Sequence, residues 1–301
     1  MNELRMSHSS SKLLSSCSRK YFYKKVAKVD IDPDVTQSTL ALDVGKAYHQ
    51  VLEDTDHKKE NFQLEILNNA CRDNNIDDPS VMAMIRAMLY KYMILHEKSG
   101  LEIVCIEEEI EDDLIIGYID VVLKCPNSGK WYICDMKTAA GVYVDQLTQK
   151  LPRDNQLNLY SYYIDQIAEK YNLDVSLYQG ALYRVTNKTK IKFSKRETIQ
   201  DYYLRCLDRI EAFQFFIPVD KLKPKIAYDN VMNIRGKALE LFTKKEDDIP
   251  QNFNSCQEWN RSCEYYSRCY PTIASESSDG IEIFDSTDIN SMVEPDEFDF
   301  L

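Results

Sequence analysis

Apolar residues recur at the spacing of amphipathic helices through the first third of the chain. Residues three or four positions apart lie on one face of a helix, so a stripe at that spacing can pack against a core. Such stripes run through residues 40 to 53, 61 to 71 and 81 to 95. The third stripe consists of Val81, Met84, Ile85, Met88, Tyr92 and Leu95. The pattern therefore predicts core helices in these three segments.

From residue 101 the apolar period shortens to that of strands. Three runs rich in β-branched and aromatic residues follow one another, LEIVCIEEEI, LIIGYIDVVL and WYICDMKT. They predict three consecutive strands connected by hairpins. The rest of the body is predicted as a helix over 152 to 171, a strand pair (LYQGALYRV and KIKFS), and helices over 196 to 216 and 227 to 245. This order predicts an α/β fold with a central mixed sheet flanked by helices.

Acidic residues are concentrated at the C-terminal end. The chain carries a formal charge of -12, and residues 274 to 301 hold nine acidic residues and no Lys or Arg. Without them, 40 acidic residues face 37 basic ones, which leaves a body of charge -3. We expect one folded domain over 1–272 and a disordered acidic tail over 273–301. Local basic patches then decide what the nearly neutral body binds.

Two classes of protein are disfavoured by the sequence. No stretch approaches the roughly eighteen apolar residues that cross a bilayer, and the N-terminus lacks the apolar core of a signal peptide. The nine cysteines are an odd number without a secretion signal, which argues against a disulfide framework. We expect a cytoplasmic protein, in a cell or an infected host cell, with no membrane association.

Candidate chemistry lies at the ends of the predicted strands. Side chains alternate along a strand, so Asp135 and Lys137 project from one face and Met136 from the other. Asp120 ends a comparable run on the neighbouring strand, so two carboxylates can face one point. Two carboxylates and a main-chain carbonyl form an oxygen site of the kind that Mg²⁺ or Mn²⁺ prefers. For the tripeptide alone, a structural Asp–Lys ion pair at a strand end is the favoured explanation.

Further motifs extend this pattern in a fixed order. They are Ser9 to Lys12 with Leu13, Cys17 to Tyr23, Gly45-Lys46-Ala47-Tyr48-His49, Gly117-Tyr118-Ile119-Asp120, Asp135-Met136-Lys137 and Gln156-Leu157-Asn158-Leu159-Tyr160. Together they resemble the RecB-like branch of the PD-(D/E)XK nuclease superfamily, over residues 7 to 270. The resemblance implies a restriction-endonuclease-like core and metal-dependent hydrolysis of phosphodiester bonds.

The resemblance also implies roles for individual residues. The metal ligands would be His49, Asp120, Asp135 and the main-chain carbonyl of Met136. Lys137 would be the catalytic lysine, and Gln156 and Tyr160, one helical turn apart, would hold it or the substrate phosphate.

The sequence departs from the resemblance at two positions. The commonest third motif in the superfamily is Glu-x-Lys, whereas this chain has Asp135 at the acidic position. Many relatives also carry a glutamate on the strand before Asp120, and Glu107, Glu108 and Glu109 are all candidates for it.

Cysteines stand at both ends of the body. Cys256, Cys263 and Cys269 have the spacing C-x6-C-x5-C and, with Cys17, resemble the [4Fe-4S] module of AddB and of the iron-sulfur nucleases of CRISPR adaptation. Those relatives usually show C-x2-C-x5-C, so only the second spacing matches. The expected occupant is a [4Fe-4S] cluster that fastens the chain ends together; a zinc site and unligated thiols are the alternatives.

Two segments are candidates for binding other molecules. Arg19, Lys20, Lys24 and Lys25, with Tyr21 among them, could follow DNA phosphates and stack bases, or form an ordinary solvated basic face. The tail, which ends in VEPDEFDFL, resembles the tips of single-stranded DNA-binding proteins. It is expected to recruit a replication or recombination partner, to occupy the DNA groove of its own chain, or only to increase solubility.

The expected function is that of a Mg²⁺- or Mn²⁺-dependent DNase. We favour an exonuclease that acts on DNA ends or single strands in recombination, repair or phage DNA metabolism. The alternatives are a noncatalytic module that binds single strands or recruits partners, and a structure-specific endonuclease.

Overall fold

A five-stranded sheet lies at the centre of the computed structural model, which describes residues 4–31, 40–258 and 261–270. The strands, in both spatial and sequence order, are β1 (Glu102–Glu111), β2 (Ile116–Lys124), β3 (Trp131–Ala139), β4 (Tyr178–Asn187) and β5 (Ala212–Pro218). Strands β1 to β3 form an antiparallel meander, β4 is parallel to β3, and β5 is antiparallel to β4. The sheet is therefore mixed, as the sequence predicts, and the three hairpin-connected strands are confirmed.

Helices cover both faces of this sheet. They are α1 (His8–Ser16), α2 (Ser18–Tyr21), α3 (Leu40–Asp54), α4 (Leu64–Asp73), α5 (Pro79–Ser99), α6 (Val144–Lys150), α7 (Asn155–Tyr160), α8 (Ile164–Tyr171), α9 (Ile199–Arg209), α10 (Pro224–Leu241) and α11 (Tyr266–Cys269). A π-helical turn over Phe22–Val26 follows α2, and a two-stranded ribbon, β6 (Gln257–Glu258) and β7 (Arg261–Ser262), precedes α11.

Two hydrophobic cores separate the layers. One lies between the sheet and helices α3, α4, α5 and α9, and includes Met136 and Leu182 from the strands. The other lies between the opposite face and helices α1, α7, α8 and α10, and includes Ile133 and Ala181. Neighbouring residues on β3 thus point into different cores, which is the alternation that separates Met136 from Asp135 and Lys137.

Three local predictions are wrong. Residues 190 to 194 form an irregular segment, and the strand that pairs with β4 is β5, within the segment predicted as the end of a helix over 196 to 216. The reason is the sequence AFQFFIP: its apolar residues are compatible with either period, and pairing with β4 selects the strand. The helix predicted over 152 to 171 is divided, because a 3₁₀ turn over Ser161–Tyr163 separates α7 from α8.

The two ends of the described chain pack together. The Ser16 carbonyl, at the end of α1, accepts hydrogen bonds from Asn252 Nδ2 at 2.6 Å and from Ser255 Oγ at 2.9 Å. Tyr23 Oη donates to Glu246 at 2.8 Å, and its ring contacts that of Tyr265. The predicted boundary at 272 and the acidic tail lie outside the described residues. Within them, no helix is long and apolar enough to span a membrane.

Candidate active site

Asp120 lies where β2 and β3 separate. The ladder between these strands pairs Val121–Lys124 with Trp131–Cys134, and Asp120 is the next residue beyond it. Its carboxylate accepts a hydrogen bond from the Met136 main-chain N–H at 2.5 Å. This bond takes the place of a main-chain hydrogen bond between β2 and β3, whose ladder stops at Val121 and Cys134. The side chain therefore bridges the two strands, and Asp120 and Asp135 meet at this opening as predicted.

Asp135 and Lys137 form an ion pair on one face of β3. Lys137 Nζ donates to Asp135 Oδ1 at 2.6 Å. The Asp135 side chain is 3% exposed, whereas that of Lys137 is 39% exposed. The lysine therefore connects a buried carboxylate with the solvent-facing side of the site.

Burial and mutual repulsion make the ionised form of both carboxylates unfavourable. Burial raises the pKa of Asp120, while Lys137 and the Met136 N–H oppose the shift. Burial and then the charge of Asp120 raise the pKa of Asp135 to about 7. Burial opposes the charged form of Lys137, but Asp135 and Asp120 outweigh it and raise the pKa of this lysine. Two buried acids thus share one lysine, an arrangement that a further cation would stabilise.

His49 approaches the same point from α3. Burial and the charge of Lys137 lower its pKa to about 4, although Asp135 and a hydrogen bond to the Met136 main chain oppose the shift. The imidazole is therefore neutral near pH 7, the form in which histidine binds metals. A nitrogen of His49 and carboxylate oxygens of Glu107 and Asp120 all lie within 4.8 Å of one another.

The structure distinguishes the three candidate glutamates on β1. Glu107 joins His49 and Asp120, and its backbone has a φ of 48°, an unusual value for a non-glycine residue. Glu108 instead accepts hydrogen bonds from Lys170 at 2.7 Å and from Tyr171 at 2.5 Å. Glu109 accepts one from Tyr118 at 3.1 Å. Glu107 is thus the member of the trio at the site.

Glu53 is a neighbour of this group that the sequence reasoning missed. It lies one helical turn after His49 on α3, so the two share a face. Its carboxyl group hydrogen bonds with that of Glu107. Burial, then the charges of Asp120 and Glu53, raise the pKa of Glu107 to about 7. The spacing H-x-x-x-E within a predicted helix was the available signal.

Gln156 and Tyr160 line the site from α7. Gln156 Nε2 donates to Tyr160 Oη at 2.9 Å, which confirms that they share a helix face. The helix is capped by Asp154, whose carboxylate accepts from the N–H groups of Gln156 and Leu157. A Cβ at Gly117 would lie 3.0 Å from the Tyr160 ring, so this glycine allows the helix to approach β2 closely. Burial raises the pKa of Tyr160 to about 12. The charges of Asp120 and Asp135 add to this shift, and that of Lys137 opposes it.

His8 is a second residue that was missed. It is the first residue of α1, which is anchored because Met6 hydrogen bonds with the start of β2. Its buried Nδ1 has no hydrogen-bond partner among the described residues. Burial lowers its pKa, Asp154 opposes the shift, and Lys12 and Lys137 add to it. His8 therefore lies within electrostatic range of the Asp135–Lys137 pair.

The basic segment is mostly occupied by contacts within the chain. Arg19 donates to the Ile249 carbonyl at 2.7 Å, and Lys24 donates to Glu264 at 3.2 Å. Tyr21 is 1% exposed, so in this conformation it is a core residue and cannot stack on a base. The prediction for Tyr21 is therefore wrong, because packing against Met6 and the second core buries the ring. Lys20 forms a longer contact with Glu264, 3.9 Å, and Lys25 is exposed.

The four cysteines lie where the chain ends meet. The Cys263 N–H donates to the Cys256 carbonyl at 2.8 Å. Burial raises the pKa of Cys263, and the nearby Cys17 thiol contributes. Burial also raises the pKa of Cys269, with contributions from Cys263 and Cys256. The four thiols are thus neighbours, although within the described residues no three sulfurs come within 4.8 Å of one another.

An acid on β2, just beyond its ladder with β3, and an Asp-x-Lys tripeptide on β3, in a mixed sheet between helices, define a metal-dependent nuclease of the restriction-endonuclease-like class. The chain belongs to the PD-(D/E)XK nuclease superfamily, whose pattern it matches over residues 5–270. Nucleases of this superfamily use divalent metals, and His49, Glu107 and Asp120 form a group that could hold one. A comparison with curated proteins finds no match.

Proposed function

We propose that the protein hydrolyses phosphodiester bonds of DNA with Mg²⁺ or Mn²⁺, as an exonuclease on DNA ends or single strands. The observation that supports this most is the convergence of His49, Glu107 and Asp120 beside the Asp135–Lys137 pair. The carboxylate oxygens fit Mg²⁺ or Mn²⁺, and two buried acids with one lysine leave a net negative charge that a cation would neutralise.

In this proposal, His49, Asp120, Asp135 and the Met136 carbonyl hold the metal, and Glu107 joins them. The ion, when bound, supplies Lewis acidity and an activated water. Lys137 uses one ammonium N–H for Asp135 and has two for a water molecule or a phosphate oxygen. Gln156 and Tyr160, hydrogen bonded to each other, orient Lys137 or the phosphate from α7.

The wild-type protein and Lys137→Ala test the active site. Both are assayed on end-labelled single- and double-stranded DNA with Mg²⁺ or Mn²⁺. We expect the variant to lose about 10²- to 10³-fold in kcat, as when one preorganised donor is removed elsewhere. Lys98→Ala, an exposed lysine on α5, is the control. Equal cleavage by wild type and Lys137→Ala would refute the site and favour a noncatalytic DNA-binding module.

The exonuclease assignment is tested separately with matched linear and closed circular DNA. Release of labelled mononucleotides or short fragments from linear DNA alone supports the proposal. Cleavage of the circles would replace it with a structure-specific endonuclease that uses the same residues. Recombination, repair and phage DNA metabolism are the processes in which such end-directed cleavage is used.

We further propose that Cys17, Cys256, Cys263 and Cys269 bind a [4Fe-4S] cluster that joins the ends of the nuclease domain. Its support is the neighbourhood of the four thiols. A zinc ion held by the same thiolates is the alternative, and the iron and zinc contents of the purified protein distinguish the two. A colourless, iron-free protein after anaerobic purification would contradict the proposal.

We also propose a path for the DNA and a binding partner for the tail. Lys20, Lys24 and Lys25 would contact successive DNA phosphates. Arg19 would hold this segment in place through its hydrogen bonds to the Ile249 carbonyl. The acidic tail would recruit a replication or recombination protein. Pull-down of such a partner by the full chain, and its loss when residues 274 to 301 are deleted, would support this role.

A further inference from the structure

A groove crosses the outer side of the helical layer, away from the active-site residues. It consists of two adjoining depressions formed by α4, α5, α9 and the segment before α4, with cavity volumes of about 190 and 200 Å³. The depressions share Arg86 and Tyr203. Within the groove, Leu64 is 52% exposed and Ile199 38% exposed, so apolar surface faces solvent.

The charge of this groove is opposite to that of the whole chain. Among the residues that the structure describes, its lining contains the cations Arg86 and Lys59 and no acidic side chain, although the chain carries -12. The Arg86 guanidinium lies 4.5 Å from the centre of the Tyr203 ring, and Lys59 Nζ lies 5.0 Å from that of Tyr90. Aromatic faces thus hold both cations at the groove. Such a surface fits a short peptide that carries apolar side chains among acids.

The chain itself ends in such a peptide. Its last eight residues, EPDEFDFL, carry four acids, two phenylalanines and a leucine. Phe298 and Phe300 are two positions apart, so in an extended segment they project from one side, about 6.6 Å apart. An apolar cavity of about 150 Å³ can hold a benzene ring. Each depression is therefore large enough for one of the two phenyl rings.

We propose that the C-terminal residues 294 to 301 dock in this groove of their own chain, with Phe298 and Phe300 in the two depressions and the acids beside Arg86 and Lys59. About 28 residues separate the last described residue, Tyr270, from Phe298. Extended, they reach up to about 90 Å, whereas a body of this size is about 50 Å across. The tail can therefore reach any point of the surface. This proposal does not depend on nuclease activity.

Site-specific cross-linking of the full-length protein tests the docking. A photoreactive benzoylphenylalanine replaces Gln200, an exposed residue that lines the first depression. Heavy- and light-isotope chains are mixed, irradiated and digested, and cross-linked peptides are identified by mass spectrometry. We expect cross-links to residues 294 to 301 of the same chain. Cross-links to the tail of a second copy only, or none to the tail, would overturn the proposal.

Substitutions in both halves of the contact provide the controls. Phe298→Ala with Phe300→Ala removes both buried rings, so it should lower the cross-link yield by more than about tenfold. Arg86→Glu should also lower it, whereas Lys98→Glu, the same charge reversal on the exposed end of α5, should not. The tail variant leaves the folded body unaltered, so an undiminished yield from it would count against the proposal even if Arg86→Glu failed to fold.

Discussion

Glu53 shows how a single carboxyl group can act on the metal site through another. It hydrogen bonds with Glu107, which lies with His49 and Asp120, and it shares the α3 face with His49. A residue that orients a ligand without touching the ion commonly affects metal affinity by about 10–100-fold. In the proposed metal site, Glu53 therefore acts as a positioning residue for Glu107.

We predict that Glu53→Ala weakens Mn²⁺ binding by about 10- to 100-fold, because Glu107 loses its partner. Glu53→Gln keeps a hydrogen-bonding group and should have a smaller effect. Direct Mn²⁺ titration by calorimetry measures both. Asp54→Ala is the matched control, since it removes the same charge from an exposed neighbour on α3. Equal losses for Glu53→Ala and Asp54→Ala would mean that only net charge matters.

For single residues, the sequence identified those whose positions follow from the alternation of side chains along a strand. Asp120, Asp135 and Lys137 were predicted to meet, and they do. Glu107 could not be separated from Glu108, because a one-residue change of register exchanges the faces of a strand. His8 could not be found either, since its place at the site depends on where the segment before α1 joins β2.

Among the elements, the approach of α7 to β2 determines where Gln156 and Tyr160 lie. Gly117 faces the Tyr160 ring, and a Cβ added there would make a tight contact with the ring, 3.0 Å from its nearest atom. The contact couples the strand that carries Asp120 to the helix that carries the glutamine and tyrosine.

We predict that Gly117→Ala lowers kcat by about tenfold or more with little change in the fold. The added Cβ would lie 3.0 Å from the Tyr160 ring and 3.3 Å from Ile110, so these neighbours must shift by a few tenths of an ångström. Displacements of about 1 Å can cost up to about a hundredfold in rate. Steady-state cleavage and circular dichroism measure the two effects. Gly141→Ala, where the nearest atom is 3.9 Å away, should behave like the wild type.

A buried polar network fastens α5 to β4. Arg184 is 1% exposed and donates to His96 Nδ1 at 2.9 Å and to Tyr92 Oη at 3.2 Å. Burial, then the charge of Arg184, lowers the pKa of His96 to about 4. Burial, with His96 and Arg184, lowers that of His57 to about 3. Both imidazoles are therefore neutral in the folded protein near pH 7.

This network predicts a loss of stability in acid. The folded pKa of His96 lies below its unfolded value of about 6.5, so the unfolded state takes up a proton first as the pH falls. The contribution is fully present above about pH 6.5 and is lost as the pH falls towards 4. His96→Gln removes this titration and can still accept from Arg184. Its free energy of unfolding, from urea denaturation, should fall less between pH 7 and 5 than that of the wild type; an equal fall would contradict the assignment.

The elements that were predicted correctly are those whose periodicity has one interpretation. The helices α3, α4 and α5 and the strands β1, β2 and β3 are of this kind. Strand β5 was missed because it is defined by pairing with β4, and the break between α7 and α8 because Ser161 bonds back to the Leu157 carbonyl. Long-range pairing and local side-chain bonds leave no periodic signal in the sequence.

For the whole molecule, the uneven distribution of charge separates two possible effects of the tail. Residues 274 to 301 carry nine of the acids, whereas the rest of the chain has a charge of -3. Tethered negative charge repels DNA phosphates at any position near the site, and this repulsion is screened by salt. Docking in the groove instead requires the Phe298 and Phe300 side chains in addition to the acids.

We therefore predict that replacing the nine tail acids by Asn and Gln tightens binding of single-stranded DNA at low salt. The difference from the wild type should shrink as NaCl approaches about 1 M, where the Debye length is about 3 Å. Phe298→Ala with Phe300→Ala keeps every tail charge, so by repulsion alone its DNA affinity should equal that of the wild type. Fluorescence anisotropy across a salt series measures all three proteins. If the phenylalanine variant tightened DNA binding as much as the neutralised tail, docking rather than net charge would control access to the DNA site.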